Sequence, residues 1–108
     1  MERQFFFNDD EEEKEFLLDN KNLICELIVT AIKKCVSEGM DVMEVFTSIN
    51  SNRDYVMTTQ VKKDDWGESL EKCLGYFIGE ENYEWCDKIK KLKIDIENGD
   101  NKTDQSQK

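Results

Sequence analysis

Residues 40–49 read Met-Asp-Val-Met-Glu-Val-Phe-Thr-Ser-Ile and carry the clearest local signature in the chain. Asp41 as N-cap and Glu44 three residues later match a capping box, and Met40 and Val45 stand where a hydrophobic staple needs them. The apolar residues follow the i, i+3, i+4, i+7 rule of one helix face: Val42, Val45, Phe46 and Ile49. The pattern predicts a short helix from Val42 to about Ile49.

The preceding stretch, Phe16–Val36, also has helical periodicity. Its apolar residues recur at steps of three, four and seven: Leu17, Ile24, Ile28, Ala31, Ile32, Cys35 and Val36. Gly39 supplies the left-handed stop that ends many helices. A fresh cap within Asp19–Asn22 would split the region into two helices, and the sequence leaves this open.

Residues 50–63 are ambiguous between a strand, a loop and a helix. Tyr55, Met57, Thr59 and Val61 alternate as they would in a strand. A lone strand has no partner in a helical domain, although pairing with Phe5–Phe7 is conceivable. The favoured interpretation is a loop or an irregular helical turn.

The C-terminal part predicts two helices joined by a short link. Asp65 and Glu68 form a second Asp-x-x-Glu box, which opens a helix that runs to Gly79. After three residues, a last helix runs from Tyr83 to about Ile96 and ends at Asn98–Gly99. Because short links join antiparallel neighbours, residues 65–97 are expected to form a helical hairpin.

These elements together predict an all-α fold. We expect a small bundle of four or five helices with a C-terminal antiparallel helical hairpin. Residues 1–99 form a single helical domain in this interpretation, and residues 100–108, which lack apolar side chains, form a disordered polar tail. The expected core contains Trp66, Phe46, Phe77 and the stripe Leu23–Ile32.

Composition excludes several classes of function. The 108 residues contain 25 acidic and 15 basic side chains, a net charge of −10, and no histidine. Such a charge repels nucleic acid and anionic lipid, and Ser-His and Cys-His nucleophiles require an imidazole. There is no glycine-rich phosphate loop and no calcium-loop spacing. We therefore expect no enzymatic activity, no cofactor, no metal and no direct contact with nucleic acid or membrane.

The four cysteines, Cys25, Cys35, Cys73 and Cys86, form no CxxC pair. Each falls within a helical apolar pattern, so buried free thiols are the favoured interpretation. A metal site of all four thiolates, or a pair of disulfides, is the alternative.

Neither an export signal nor a membrane-spanning stretch is recognisable. At the N-terminus three phenylalanines precede the acidic run, without the apolar h-region or the small-residue cleavage site of an export signal. Leu23–Ile32 is far shorter than the roughly 20 residues that a bilayer requires. The sequence predicts a cytoplasmic protein.

Lys88, Lys90, Lys91 and Lys93 give the last helix a cationic face. The favoured interpretation is a solvated face that pairs with acids on a neighbouring helix. A phosphate-binding role is the weaker alternative, because the face opposes the field of the whole molecule.

Two groups of residues are candidates for binding a partner. The acidic block after Phe5–Phe7 favours the first turn of a helix, capped by Asn8 or Asp9, with the phenylalanines on the core. Alternatively, it is a short linear motif that docks on a basic-rimmed groove. The second group lies at the turn of the hairpin. The candidate partner-binding residues are Asp9, Asp10, Glu11, Glu12, Glu13, Glu80, Glu81, Tyr83 and Trp85.

The segment Tyr83-Glu84-x-Cys86-x-x-Ile89-Lys90, within residues 70–92, resembles the helical-hairpin module called the UVR motif. That motif has an aromatic-Glu pair, small residues and then Leu-Arg-Asp. Asp87 replaces the second small residue and Lys91 the acidic one, and the final apolar position is shifted to Leu92. In that family the hairpin mediates contacts between protein subunits. The resemblance implies a docking surface along Tyr83, Trp85 and Ile89.

In composition the chain is similar to small acidic inhibitors from phages and mobile elements, of the anti-restriction and anti-CRISPR type. Dense carboxylates imitate spaced phosphates and speed encounter with a basic groove. We expect a non-enzymatic inhibitor or adaptor that acts as a nucleic-acid mimic and binds a basic surface of a nucleic-acid-handling host protein. The alternative is a structural or assembly module that self-associates, in which case a homodimer is possible, or that docks in a larger complex.

Overall fold

A computed structural model describes the backbone of residues 3–51 and 55–106 and the side chains of residues 3–51 and 56–98. Within these ranges the elements are, in order, β1 (Gln4–Phe7), α1 (Asp10–Asp19), α2 (Lys21–Glu38), β2 (Val42–Asn50), β3 (Tyr55–Lys62), a 3-10 turn (Lys63–Asp65), α3 (Trp66–Gly79) and α4 (Tyr83–Ser106). In the sheet, β2 lies between a parallel β1 and an antiparallel β3. The fold is therefore mixed α/β, and the predicted all-α helical bundle is wrong.

The predicted helix over Val42–Ile49 is instead the central strand. Glu44 pairs with Gln60 and Phe46 pairs with Thr59, so Val45 is an extra residue in a β-bulge. The bulge shifts the alternation of side chains, and both Val45 and Phe46 are buried. Two adjacent buried residues imitate the spacing of a helix face, although β-branched and aromatic residues favour a strand here.

Residues 55–62 form β3, so the favoured interpretation of a loop or helical turn is wrong. The alternation from Tyr55 to Val61 is that of a real strand, whose partner is β2. Phe5–Phe7 does not pair with this segment. It pairs with Ser48–Asn50 on the other side of β2.

Local signals place the first two helices correctly. Asp9 caps α1, because its carboxylate accepts a 2.8 Å hydrogen bond from the backbone N–H of Glu12. Asn20 separates α1 from α2, and its backbone and side-chain N–H groups both bond the carbonyl of Phe16. Gly39 has φ 70° and ends α2 in the left-handed conformation that a residue without Cβ adopts freely.

The core lies between one face of the sheet and the helices. It contains Phe46, Trp66 and Phe77, as predicted, together with the buried residues of α2: Cys25, Val29, Ala31, Ile32 and Cys35. Phe16 of α1 packs on Phe5 and Phe7, with ring centroids 4.7 and 5.3 Å apart. These contacts attach α1 to β1.

The last two helices pack against each other as the hairpin that their short link predicts. The second capping box does not form, because a 3-10 turn precedes α3 and the side chain of Asp65 makes no cap hydrogen bond. The helix α4 continues past Asn98–Gly99 to Ser106. Residues 107 and 108 lie outside the described residues, and the boundary at residue 99 stays a prediction.

Candidate docking surface

In the part of the chain that the structure describes, no helix covers one face of the sheet. Side chains on this side, here called the open face, belong to Gln4 and Phe6 of β1, alternate residues of β2 and alternate residues of β3. On β2 they are Val42, Glu44, Thr47 and Ile49, and on β3 they are Val56, Thr58, Gln60 and Lys62. The side chains of the opposite face are largely buried under the helices, whereas those of the open face are exposed or half-buried. The open face is therefore available for contact.

An apolar row crosses the open face near the carboxyl ends of β1 and β2. Phe6 pairs with Ile49, and Ile49 pairs with Val56 on the other side. Phe6 is 67% exposed and Val56 64% exposed, while Ile49 between them is half-buried. Directly opposite residues in neighbouring strands are in side-chain contact. The apolar row is thus one continuous patch rather than three isolated residues.

The next row of the open face is polar. Gln4, Thr47 and Thr58 lie side by side, and the hydroxyls of Thr47 and Thr58 are 3.3 Å apart, within hydrogen-bond distance. Among the described residues, β1 and β3 are the two edges of the sheet. Edge strands present backbone N–H and C=O groups sideways to any approaching chain.

A cluster of carboxylates follows the end of β1. Asp10, Glu11, Glu12 and Glu13 form the first turn of α1 behind the cap residue Asp9. We call these five residues the acidic turn. Asp9, Glu11 and Glu12 are exposed, while Asp10 and Glu13 are half-buried. Carboxylates at this end of a helix are stabilised by the positive pole of its dipole.

Asn50 fixes the acidic turn to the sheet. Its side-chain N–H group donates to Asp10 Oδ1 at 2.8 Å and to Glu13 Oε1 at 3.2 Å, and the residue is 1% exposed. The backbone N–H of Ser51 also bonds the carbonyl of Phe7 at 3.0 Å. No local sequence signal marks Asn50 for this role, because its two contacts lie 40 and 37 residues away along the chain.

The acidic turn borders the apolar row. Phe6 precedes Asp9 by three residues, which limits their separation along the chain to about 10 Å. The partner of Phe7 in β2 is Asn50, which itself holds Asp10 and Glu13. An exposed apolar patch and a set of fixed carboxylates therefore meet at one end of the sheet.

The second predicted group lies near the other end of the sheet. Trp85 shares a cavity of about 310 Å³ with Arg3, Met43 and Val45, close to where β1 and β2 begin. Val45 lies five residues before Asn50, or about 16 Å along a strand. The nine predicted residues thus form two separate groups.

Within the second group, Tyr83 is exposed and Trp85 is half-buried. The ring of Trp85 stacks on Phe77 with centroids 5.6 Å apart, and the Nζ atom of Lys88 lies 4.3 Å from its centroid. Ile89, which the UVR resemblance implies on a docking surface, is fully buried. Trp85 therefore contributes to the packing of the hairpin, and the partner-binding role of this group stays a prediction.

Glu80 and Glu81 are exposed at the end of α3. Glu81 has φ 57°, a left-handed conformation that favours glycine. Its backbone N–H bonds the carbonyl of Ile78 at 3.0 Å, and that of Asn82 bonds Phe77 at 2.9 Å. These two bonds are the Schellman motif, with Glu81 at the position where glycine is common.

We expect Glu81→Gly to raise the free energy of unfolding by about 1 kcal/mol, because glycine relieves the left-handed strain of a residue with Cβ. Urea denaturation followed by circular dichroism measures the change. Glu80→Gly is the matched control: Glu80 has φ −89°, so glycine there adds only chain flexibility and lowers stability. A loss of stability in both variants contradicts the assignment.

The carboxylates of the hairpin are extensively paired with lysines. Lys72 bonds Glu68 at 3.3 Å, Lys88 bonds Glu84 at 3.7 Å and Lys91 bonds Asp87 at 3.0 Å, while Lys93 of α4 bridges to Glu71 of α3. No ion pair found among the described residues involves Asp9, Glu11 or Glu12. The exposed carboxylates of these three residues are therefore available to a cationic partner.

Other kinds of site receive little support. In the part of the chain that the structure describes, no cluster of three or more Cys, Asp or Glu side chains is arranged to hold a metal ion. Among the described helices, none combines the length and apolar character needed to cross a membrane. All four cysteines are buried, as predicted, and their thiols are free.

Comparison with protein-family models, with curated proteins and with solved structures finds no match to this chain. The fold and the geometry of the open face are consequently the basis for assigning a function.

Proposed function

We propose that this chain is a non-enzymatic protein-binding module that docks through its open face and acidic turn onto a basic protein surface. The observation that carries the proposal is the position of Phe6 and Val56, which are exposed on the open face beside the carboxylates of Asp9, Glu11 and Glu12.

The apolar row supplies the short-range attraction. Burying apolar surface contributes about 25 cal/mol per Å², and aromatic residues are frequent among the few that dominate binding energy. Phe6 lies on a strand, so its backbone is ordered before binding, and an aromatic side chain has only two torsions to restrict. It is therefore the expected anchor of the contact.

The acidic turn selects the partner by charge. Fixed carboxylates speed encounter with a basic surface and disfavour acidic ones. A second copy of this chain fits poorly, because each copy carries a net charge of −10 and the same acidic turn. A basic partner is therefore favoured over the alternative of self-assembly.

The area of the open face indicates how far the contact extends. Three strands spaced about 4.8 Å apart, with a rise of about 3.3 Å per residue, present a projected area of about 330 Å². A standard interface buries about 800 Å² on each partner. The partner must therefore reach beyond the strands, and the acidic turn is the neighbouring surface that matches a basic protein.

In its more specific form, the proposal is an inhibitor or adaptor of a nucleic-acid-handling host protein. In this complex the carboxylates of α1 occupy a groove of the host protein that otherwise accepts the phosphates of nucleic acid. This proposal includes a cytoplasmic location. It also includes action without a cofactor and without direct contact with nucleic acid or a membrane.

The test is quantitative capture on the immobilised chain at low and high salt, followed by affinity measurement for each captured protein. We expect a basic partner whose binding weakens at high salt. Phe6→Ser is expected to lower its affinity about 30-fold, the equivalent of a contact worth about 2 kcal/mol. The variant should fold normally, because the side chain is largely exposed.

Matched variants separate the open face from the rest of the surface. Ile94→Ser removes an isoleucine of α4 that is 55% exposed, and Glu80→Gln with Glu81→Gln removes the same charge as Glu11→Gln with Glu12→Gln. Only Phe6→Ser and the pair on α1 should weaken binding. Equal effects from both charge pairs, or a dimer in light scattering that Phe6→Ser dissociates, contradict the proposal. The dimer would favour the assembly alternative.

A further inference from the structure

Two of the buried cysteines lie side by side between neighbouring helices. Cys25 belongs to α2 and Cys73 to α3, and the two helices pack directly. The thiol of Cys73 lies 3.9 Å from the backbone carbonyl oxygen of Cys25, a contact across 48 residues of sequence. The fold therefore places the Cys73 thiol against the backbone of Cys25, two residues that the sequence pattern treats as separate core positions.

This pair is reachable from solvent although both side chains are buried. Cys25 and Cys73 line a partly open cavity of about 440 Å³ together with Lys21, Ser69, Lys72 and Tyr76. The Nζ atom of Lys21 lies 5.7 Å from the centroid of the Tyr76 ring, so a cation stands beside the cavity. A small polar oxidant can enter such a space.

The two thiols are chemically unequal. A hydrogen bond from the Cys73 thiol lowers the pKa of Cys25 against the opposing effect of burial, and the charge of Lys21 lowers it further. The same hydrogen bond raises the pKa of Cys73, and burial adds to the rise. Because the thiolate is the nucleophile, Cys25 is the member of the pair that reacts first.

We propose that Cys25 and Cys73 form an oxidisable dithiol that hydrogen peroxide converts into an intramolecular disulfide. The Cys25 thiolate attacks one peroxide oxygen, the O–O bond breaks, and Cys25 becomes a sulfenic acid while hydroxide leaves and is protonated to water. The Cys73 sulfur then attacks the sulfenic sulfur, the S–O bond breaks, and the proton of Cys73 leaves with hydroxide as a second water. Two thiols and one peroxide give one disulfide and two waters.

The other two cysteines act as internal controls. Burial raises the pKa of Cys35, and the charges of Glu38 and Asp41 raise it further. Cys86 is buried on α4 and does not line this cavity. Neither is expected to react at the rate of Cys25. The dithiol is independent of the open face, so its test does not depend on the proposed binding function.

The experiment treats the reduced, folded chain with hydrogen peroxide, blocks the remaining thiols and measures the intact mass and the peptide map. We expect loss of two hydrogen atoms from the chain and a Cys25–Cys73 cross-link. Cys35→Ser should leave this reaction unchanged, and Cys25→Ser should abolish it. Circular dichroism before and after treatment establishes that the chain stays folded during the reaction.

The variant Cys73→Ser is the decisive test, because it removes the thiol of Cys73 and keeps the thiol of Cys25. In this variant a sulfenic acid should accumulate on Cys25 and be trapped by dimedone at least tenfold faster than any label on Cys35. Equal labelling of Cys25 and Cys35 would overturn the proposal. So would a cross-link that includes Cys35 or Cys86, or an unchanged mass in the treated wild-type chain.

Discussion

Replacement of Asn50 by aspartate is expected to lower the free energy of unfolding by about 3 kcal/mol. The Asn50 side chain donates to the carboxylates of Asp10 and Glu13 from a site that is 1% exposed. Hydrogen bonds to charged groups contribute about 1.5–3 kcal/mol. Asn50→Asp keeps the shape, removes the donor and places a third carboxylate against the other two. Urea denaturation at pH 7 measures the loss.

The pH dependence of this variant tests the cause. An ordinary carboxyl group takes up a proton near pH 4. Protonation of the carboxyl group that the substitution introduces removes its negative charge and restores a donor. The difference in stability between Asn50→Asp and the wild type should therefore shrink as the pH falls from 7 to 4. A difference that stays constant over this range would point to altered packing rather than to charge.

Asn8→Asp is the matched control, because Asn8 also donates to a carboxylate, Glu12 Oε2 at 3.3 Å, but in an exposed position. Surface substitutions of this kind change stability by less than about 0.5 kcal/mol. A similar loss in both variants would mean that added charge near α1 destabilises the fold wherever it lies. Asn50 would then have no special role in placing the acidic turn.

Elements defined by local signals could be predicted from the sequence. The cap at Asp9, the stop at Gly39 and the periodicity of α2 depend on residues within a few positions of each other, and the structure contains all three. Hairpin residues such as Phe77 are buried as predicted. Such signals need no knowledge of the rest of the chain.

The sheet could not be predicted in the same way. In β2 the bulge at Val45 interrupts the alternation of apolar and polar residues that is typical of a strand. The apolar positions that result also fit one face of a helix. If residues 42–49 form a helix, the alternation in β3 has no strand to pair with. One misinterpreted element therefore removed the whole sheet and changed the fold class.

Only part of the candidate site could be predicted from the sequence, because the rest depends on the sheet. Carboxylates 9–13 are evident from composition, but their border with the apolar row depends on pairings between distant segments. Phe6 lies beside Ile49 and Ile49 beside Val56 only through the registers of β1 and β3 on β2. The sequence placed all three phenylalanines together on the core, whereas strand alternation puts Phe6 on the open face.

The largest effect on the hairpin is expected from Ile89→Ala, which should lower the free energy of unfolding by about 3 kcal/mol. Ile89 is fully buried in the core cluster. Truncating a buried isoleucine to alanine costs about 2–5 kcal/mol, because apolar contact is lost and a cavity remains. Chemical denaturation of the purified variant measures the loss.

Ile94→Ala is the control, on the same helix and with the same chemical change, at a residue that is 55% exposed. Alanine is the better helix former, so this variant should stay within about 0.5 kcal/mol of the wild type. A docking role for Ile89, as the UVR resemblance implies, requires the reverse: normal stability and weakened partner binding. Because a side chain cannot be both enclosed by the core and presented to a partner, that result would show that α4 packs through another face.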